Sequence, residues 1–340
     1  MVDLIQGVLC TLLVILFLTF LMKPTRSSKQ PLIRLGLYGN LPKHVFRRLE
    51  QRITSEYPNV TVSVFDCYRE NRTALFKEKF DVAIIDSAFL PSFVAANVLA
   101  KASLPLDKDD LYDFARKACF LNGTQYGVPV LACSHFVAFP PGEQIDFAKQ
   151  RFLDIANRHT LNMDVSDSYL PYYYAMLLEA PLDFVRRFPE VVQADELDKA
   201  LREAQRAIAM GIKTPATPRV GFSEEILDGS NWGVDILRFS DQISFYVDTI
   251  VVSNSCSEEE RAFADVLSGF LSSPSLWIDV LGAKDYLVSC RKSVMDTLAE
   301  RRGGEHETLR NVLEKVESRA VPFMLEDGFI EEFEKRYSRE

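Results

Sequence analysis

The chain has 340 residues, 47% of them hydrophobic and 26% charged, with a formal net charge of -9. That length gives room for one large or two ordinary domains and a sizeable core. The acidic balance argues against a polyanion partner, because nucleic acid is held through a basic footprint; a cationic or neutral small ligand suits it, as does simple solubility.

From the N-terminus, Leu4 to Met22 is nearly unbroken apolar sequence ending at Lys23-Pro24, about the length of a bilayer span. The start carries Asp3 in place of basic residues, and Thr25-Arg26-Ser27 is a mediocre cleavage site, so an uncleaved anchor is preferred to a signal peptide. Residues 1–30 are read as that N-terminal hydrophobic helix plus linker, leading the rest into the secretory pathway, luminal or extracellular, with membrane contact through 4–22 alone. Lys23, Arg26 and Lys29 oppose this topology, since positive flanks stay cytosolic. The glycosylation sequons at Asn59, Asn71 and Asn122 favour it. Outside that segment, which holds Cys10, stand Cys67, Cys119, Cys133, Cys256 and Cys290. An odd set leaves at least one thiol unpaired in an oxidising compartment; two disulfides and a free Cys133 are expected, with the pairing open.

Leu32–Tyr38 reads as a buried strand, Val45–Ser55 as an amphipathic helix, Val60–Asp66 and Asp81–Asp86 as strands, and Ser92–Ser103 as a helix. Such alternation predicts a mostly parallel sheet with helices on its faces. Asn122-Gly123 is a tight turn, and Tyr126–Phe139 then runs as one long strand. Helices are expected at Leu153–His159, Tyr169–Ala180 and Asp195–Met210, a loop at Lys213–Pro218, a second long strand at Phe245–Val252, and helices at Ser257–Leu271 and Glu305–Ser318. Two long strands bracketing a mainly helical block suit a two-lobed α/β protein with its ligand in the cleft. The expected lobes are 31–132 with 249–340, and 133–248. Cys133 lies on the outgoing crossing and Asp248 on the returning one.

Four clusters carry the chemistry: Cys133 with its lead-in Tyr126-Gly127-Val128-Pro129, Asp66-Cys67-Tyr68, Gly221-Phe222-Ser223-Glu224, and Phe245-Tyr246-Val247-Asp248. Together they look like a thiolate, its base, and an acidic aromatic pocket for a cationic ring. The plain alternative for Cys133 is a core thiol. His135 should share its side of the strand and could polarise it. His44, His159 and His306 are scattered and suggest no metal site, and no CxxC pair or phosphate-binding glycine loop is present. The Tyr169, Tyr172, Tyr173, Tyr174 group reads as packing surface.

Taken in chain order with Gly36-Leu37-Tyr38, Ile85-Asp86-Ser87-Ala88-Phe89-Leu90, and Tyr286-Leu287 with Arg291-Lys292-Ser293, these motifs make the chain resemble the thiamine pyridinylase (thiaminase type I) family over about Leu32 to Ser293. The resemblance implies the type II periplasmic-binding-protein-like fold. It also implies a transferase that replaces the thiazole of thiamine by an amine or thiol, through a covalent cysteine–pyrimidine adduct, with no metal or organic cofactor. Cys133 would be the attacking thiol and Glu224 the base, which requires a carboxylate whose pKa is raised toward neutrality. Glu225 supplies repulsion or is itself the base, and Ser223-Glu224-Glu225 also reads as a helix start. Asp86 and Asp248 would hold the aminopyrimidine and the positive ring; Asp81 competes with Asp86, and a helix-capping role is the alternative. Tyr38, Tyr68 and Tyr246 would wall the substrate by cation–π contact. Asn40 departs from the family's second tyrosine. The expected partners are thiamine and a nucleophilic co-substrate, on a monomer. The alternative is a non-catalytic protein that binds thiamine or another small cation.

Overall fold

The computed structural model describes residues 31–38, 41–65, 74–140, 162–163, 217–229, 232–237 and 243–325. The chain divides into two compact units, Met1–Pro31 and Leu32–Glu340; the elements below belong to the second. Residues 4–22, and the expected helices at 153–159, 169–180 and 195–210, lie outside the described residues. Among the described residues no helix is long and apolar enough to cross a membrane.

The first strands follow from their apolar runs. In β1 (Ile33–Tyr38), Ile33, Leu35 and Leu37 are fully buried. β2 (Val60–Phe65) pairs parallel to β1 on one side, and β3 (Val82–Asp86) on the other. α1 (Lys43–Glu56) connects β1 to β2 and buries Val45, Leu49 and Ile53, a four-residue spacing that sets one apolar stripe against the sheet. Gly36 is required by close approach: a Cβ there would meet the Phe80 ring at 2.9 Å.

The expected helix at Ser92–Ser103 is shorter and earlier. A 3-10 turn (Ser87–Phe89) leads into α2 (Leu90–Ala95). The chain then turns at Asn97, with φ 53°, and Leu99 bridges to Ser253. α3 (Asp113–Ala118) precedes a hairpin of β4 (Phe120–Leu121) and β5 (Thr124–Gln125). Asn122 and Gly123 take φ values of 50° and 76° there, as a two-residue hairpin turn demands.

The long strand expected over 126–139 is two strands in two sheets. β6 (Gly127–Cys133) ends at the cysteine, and β7 (Phe136–Phe139) begins three residues later. Between them Ser134 Oγ donates to the Ser244 carbonyl at 2.8 Å, so a tertiary hydrogen bond fixes a break that the two polar residues there only half announce. β7 joins β8 (Asn162–Met163), β9 (Arg219–Gly221) and β10 (Gly233–Ile236) in the order β10-β7-β9-β8.

β11 (Ile243–Val252) joins the first sheet, as do β12 (Val288–Ser289) and β13 (Ala320–Pro322). Its order is β12-β6-β11-β3-β1-β2, with β13 also on β11. This sheet is mixed, a correction to the parallel expectation: β11 lies antiparallel to both β3 and β6. A strand returning from a distant part of the chain enters between two strands that would otherwise be parallel neighbours.

Helices cover both faces. α5 (Glu258–Leu271), α6 (Pro274–Val280) and α7 (Lys292–Arg302) contribute Leu267, Trp277 and Leu298 to a core with Leu35, Ile84, Leu131 and Ile250. α8 (Gly304–Val316) and α3 face the other side, with Phe114, Phe245, Val247 and Leu313 in its core. The start of α5 is fixed by reciprocal capping: Glu260 N–H donates to Ser257 Oγ, and Ser257 N–H to Glu260 Oε2. Cys119, Cys133, Cys256 and Cys290 are free thiols. The expected two-disulfide partition therefore does not hold; Cys119 and Cys290 are fully buried core residues.

Candidate functional site

The register builds the site. On β11, Tyr246 lies opposite Cys133 of β6, and Asp248 lies opposite Asp86 of β3. Opposed residues of antiparallel strands share a face, as do residues two apart. Cys133, Tyr246, Asp248 and Asp86 therefore form a patch at the carboxyl ends of β3 and β6, the edge at which open α/β sheets bind ligands.

Glu224 reaches the patch from the smaller sheet. Gly221 at the end of β9 pairs with Phe136, three residues beyond Cys133, and the short helix α4 (Ser223–Ile226) follows. Glu224 Oε2 accepts from Ser223 Oγ at 3.3 Å. Glu225 does different work: its Oε2 accepts from the Phe222 backbone N–H at 3.1 Å and closes the first turn. The helix start and the candidate base coexist on adjacent residues, with Glu225 capping and Glu224 left for the site.

Electrostatics set this patch apart. Burial raises Asp86 to about 7, against the Ala88 N–H that donates to it at 2.8 Å. Burial also raises Glu224 to about 7, with Glu225 adding repulsion. Asp248 is pushed well above the carboxylate range by burial, then by Asp86 and Glu224. Burial pushes the Cys133 thiol up, and Glu224, Asp248, Asp86 and Glu225 push further. Among the described residues no lysine or arginine pairs with Asp86, Asp248 or Glu224. A buried, uncompensated negative cluster favours protons or a cationic guest.

Aromatic rings line it. Tyr246 sits 6.1 Å from both His135 and Phe222, and 4.9 Å from Phe323. His135 is buried, which lowers its pKa to about 3, so it carries no charge at neutral pH and offers no positive field to the thiol. Asp86 also caps the 3-10 turn, so the capping alternative holds beside its place in the patch. Asp81, its competitor, is engaged elsewhere: Arg34 donates to it at 2.6 Å through the guanidinium and at 2.8 Å through the backbone.

Tyr38 ends β1, where Leu37 pairs with Ile84. The pleat thus places it beside the residue before Asp86, on the opposite face, and its ring lies 6.4 Å from Phe65. Asn40, Asp66, Cys67 and Tyr68 lie outside the described residues. Arg291, in the last of the resembling motifs, pairs with Asp110 at 2.8 Å and donates to the Ser272 carbonyl at 2.7 Å, a structural clasp. Among the described residues no three His, Cys, Asp or Glu side chains are grouped to hold a metal ion. Phe222 and Phe323 were not singled out as site residues; Phe222 stands within a quoted motif, whereas Phe323 follows a three-residue strand and carries no local signal.

No family model matches the chain, and no curated protein sequence matches it. Solved structures do match. Thiaminase I from Bacillus thiaminolyticus gives a TM-score of 0.70 at 16% identity, covering 89% of this chain and 98% of that one. Clostridium botulinum thiaminase I in complex with thiamin gives 0.68 at 17% identity, covering 89% and 97%. The maltose-binding periplasmic protein MalE from Listeria monocytogenes, in complex with maltose, gives 0.55 at 14%, covering 87% of each. At these identities the likeness is one of fold: the chain has the mixed α/β architecture of these proteins.

Proposed function

We propose that this protein degrades thiamine, replacing its thiazole with an amine or thiol by way of a cysteine–pyrimidine adduct. The observation that carries the reading is the face shared by Cys133, Tyr246, Asp248 and Asp86, beside Glu224; the three carboxyl groups pair with no lysine or arginine among the described residues. Thiamine brings a fixed positive charge on the thiazolium and an amine on the pyrimidine. The acids attract the first and accept from the second, and Tyr246 offers a π-face to the cation. The solved thiaminase I structures share the fold across nearly the whole chain.

The charge balance explains how a thiol in an acidic field could act. In the free protein burial and four carboxyl groups hold Cys133 protonated. A bound cation offsets that field, and Glu224, poised at about 7, takes the thiol proton. The Sγ–carbon bond forms on the pyrimidine portion, the bond to the thiazolium nitrogen breaks, and its electron pair leaves with neutral thiazole. The second nucleophile then displaces sulfur: Glu224 returns its proton to the leaving thiolate, accepts the proton of the nucleophile and releases it to solvent. We place the substrate in a cleft between lobes 31–132 with 249–340 and 133–248. Tyr38 and Tyr68 remain candidate walls of that cleft. We assign a monomer of the secretory pathway, led there by residues 4–22.

The same acid field favours a second reading, a binding protein for thiamine or another small cation without turnover. Intact mass after incubation with thiamine alone separates the two. The transferase gives a pyrimidine-sized adduct that Cys133→Ser lacks, and thiamine is consumed when an amine is added. Stabilisation by thiamine without adduct or loss selects a thiamine binder, and the absence of all three effects rejects thiamine as the ligand and leaves a binder of another small cation.

A further inference from the structure

The segment that follows β13 touches both flanks of the acid–aromatic patch. Phe323 N–H donates to the Phe245 carbonyl at 2.7 Å, beside Tyr246, and Leu325 N–H donates to the Ala88 carbonyl at 2.9 Å. Ala88 N–H in turn donates to Asp86 Oδ1 at 2.8 Å. Three residues thus stitch the strand carrying Tyr246 to the turn that holds Asp86. Phe323, 3% exposed, sets its ring 4.9 Å from the Tyr246 ring at a tilt of 55°, close enough to restrict the orientation of the tyrosine.

Tyr246 and Asp86 are diagonal neighbours on one face of the sheet. Such positions are about 7–8 Å apart at the backbone, which admits one flat ring at about 3.5–4 Å from each wall. We propose that Phe323 is a positioning residue that fixes this slot, so that the site selects thin, cationic aromatic heterocycles. Its substrate half rests on the thiamine reading. The wall itself does not.

The test uses the full-length protein and its variants Phe323→Ala and Phe323→Leu. The alanine variant should raise the KM for thiamine about 3- to 10-fold, the scale of one aromatic pair, while kcat falls less than about threefold; leucine should restore most of the difference. A merely structural role would lower active enzyme and apparent kcat at unchanged KM. In parallel, Cys133 is alkylated with iodoacetamide without substrate and followed by intact mass. Loss of the wall should speed labelling severalfold in the alanine variant and less in the leucine one. Unchanged KM and unchanged labelling overturn the proposal. If wild-type protein ignores thiamine, labelling decides alone: faster modification in either variant upholds the wall, and an unchanged rate in both removes it. Should the alanine variant fail to fold, Phe323→Val, which also deletes the ring but keeps more of its bulk, is read by the same KM and labelling criteria.

Discussion

Strand β3 has a carboxylate at each end and a cysteine near each, and the two ends are treated oppositely. At the amino end Asp81 receives the Arg34 guanidinium and backbone N–H, and its carbonyl accepts from Cys256 Sγ at 3.5 Å. At the carboxyl end Asp86 has one backbone N–H, faces a second carboxylate across the strand pair, and shares that face with Cys133. The first end spends its charge on holding the fold. The second keeps an electrostatic debt that a cationic ligand can settle, a pattern expected of sites and not of scaffolds.

The sharpest way to break this comparison is to exchange the cysteines. Cys133→Ser should remove detectable thiamine consumption and the covalent adduct, because serine at neutral pH is a far weaker nucleophile. Cys256→Ser should leave the rate within about twofold, since its thiol serves a carbonyl at the other end of the sheet. Turnover assays with intact mass on both variants check this. Turnover or adduct retained in Cys133→Ser would show that Cys133 is not the nucleophile.

Next in size is the pair on α4. Glu224→Gln should lower kcat by about 10²–10⁴, the usual contribution of a positioned base. It should also flatten the acid limb of the pH–rate profile near 7, where Glu224 titrates. Glu225→Gln leaves the Phe222 N–H with a neutral acceptor, so the rate should fall less than about tenfold with the limb in place. Reversal of the two phenotypes would make Glu225 the base.

Much of this was legible in the residues. Apolar runs located β1, β3 and β11, and a four-residue stripe located α1. Residue chemistry drew attention to the clusters at Cys133, Glu224, Tyr246 and Asp248, and the family resemblance added Asp86 and the individual roles; the register and α4 bring the five to one patch. The break at Ser134-His135 was only half legible: two polar residues interrupt the apolar run, but what divides it is pairing with β9 and β10, some 80 to 100 residues away. The mixed sheet was hidden for the same reason, because no local pattern states where a returning strand inserts. Phe323 was invisible to periodicity, since its neighbour Tyr246 is brought to it by a three-residue strand pairing.

The finest comparison is thermodynamic and needs no substrate. Asp86 has a folded pKa of about 7, against about 4 in an unfolded chain. A raised pKa means the fold binds a proton that the unfolded chain has released. The associated stability is complete below about pH 4 and is lost as pH rises through 7. Asp86→Asn keeps an oxygen for the Ala88 N–H and carries no charge, so it should raise stability by about 1–2 kcal/mol at pH 8 and change it little at pH 4. Asp81→Asn removes a charge that Arg34 uses, and should destabilise by about 1 kcal/mol. Denaturant melts of the wild type and both variants at pH 8 and pH 4 check the signs. If both substitutions destabilise at pH 8, Asp86 is satisfied after all, and the contrast between the two ends of β3 disappears.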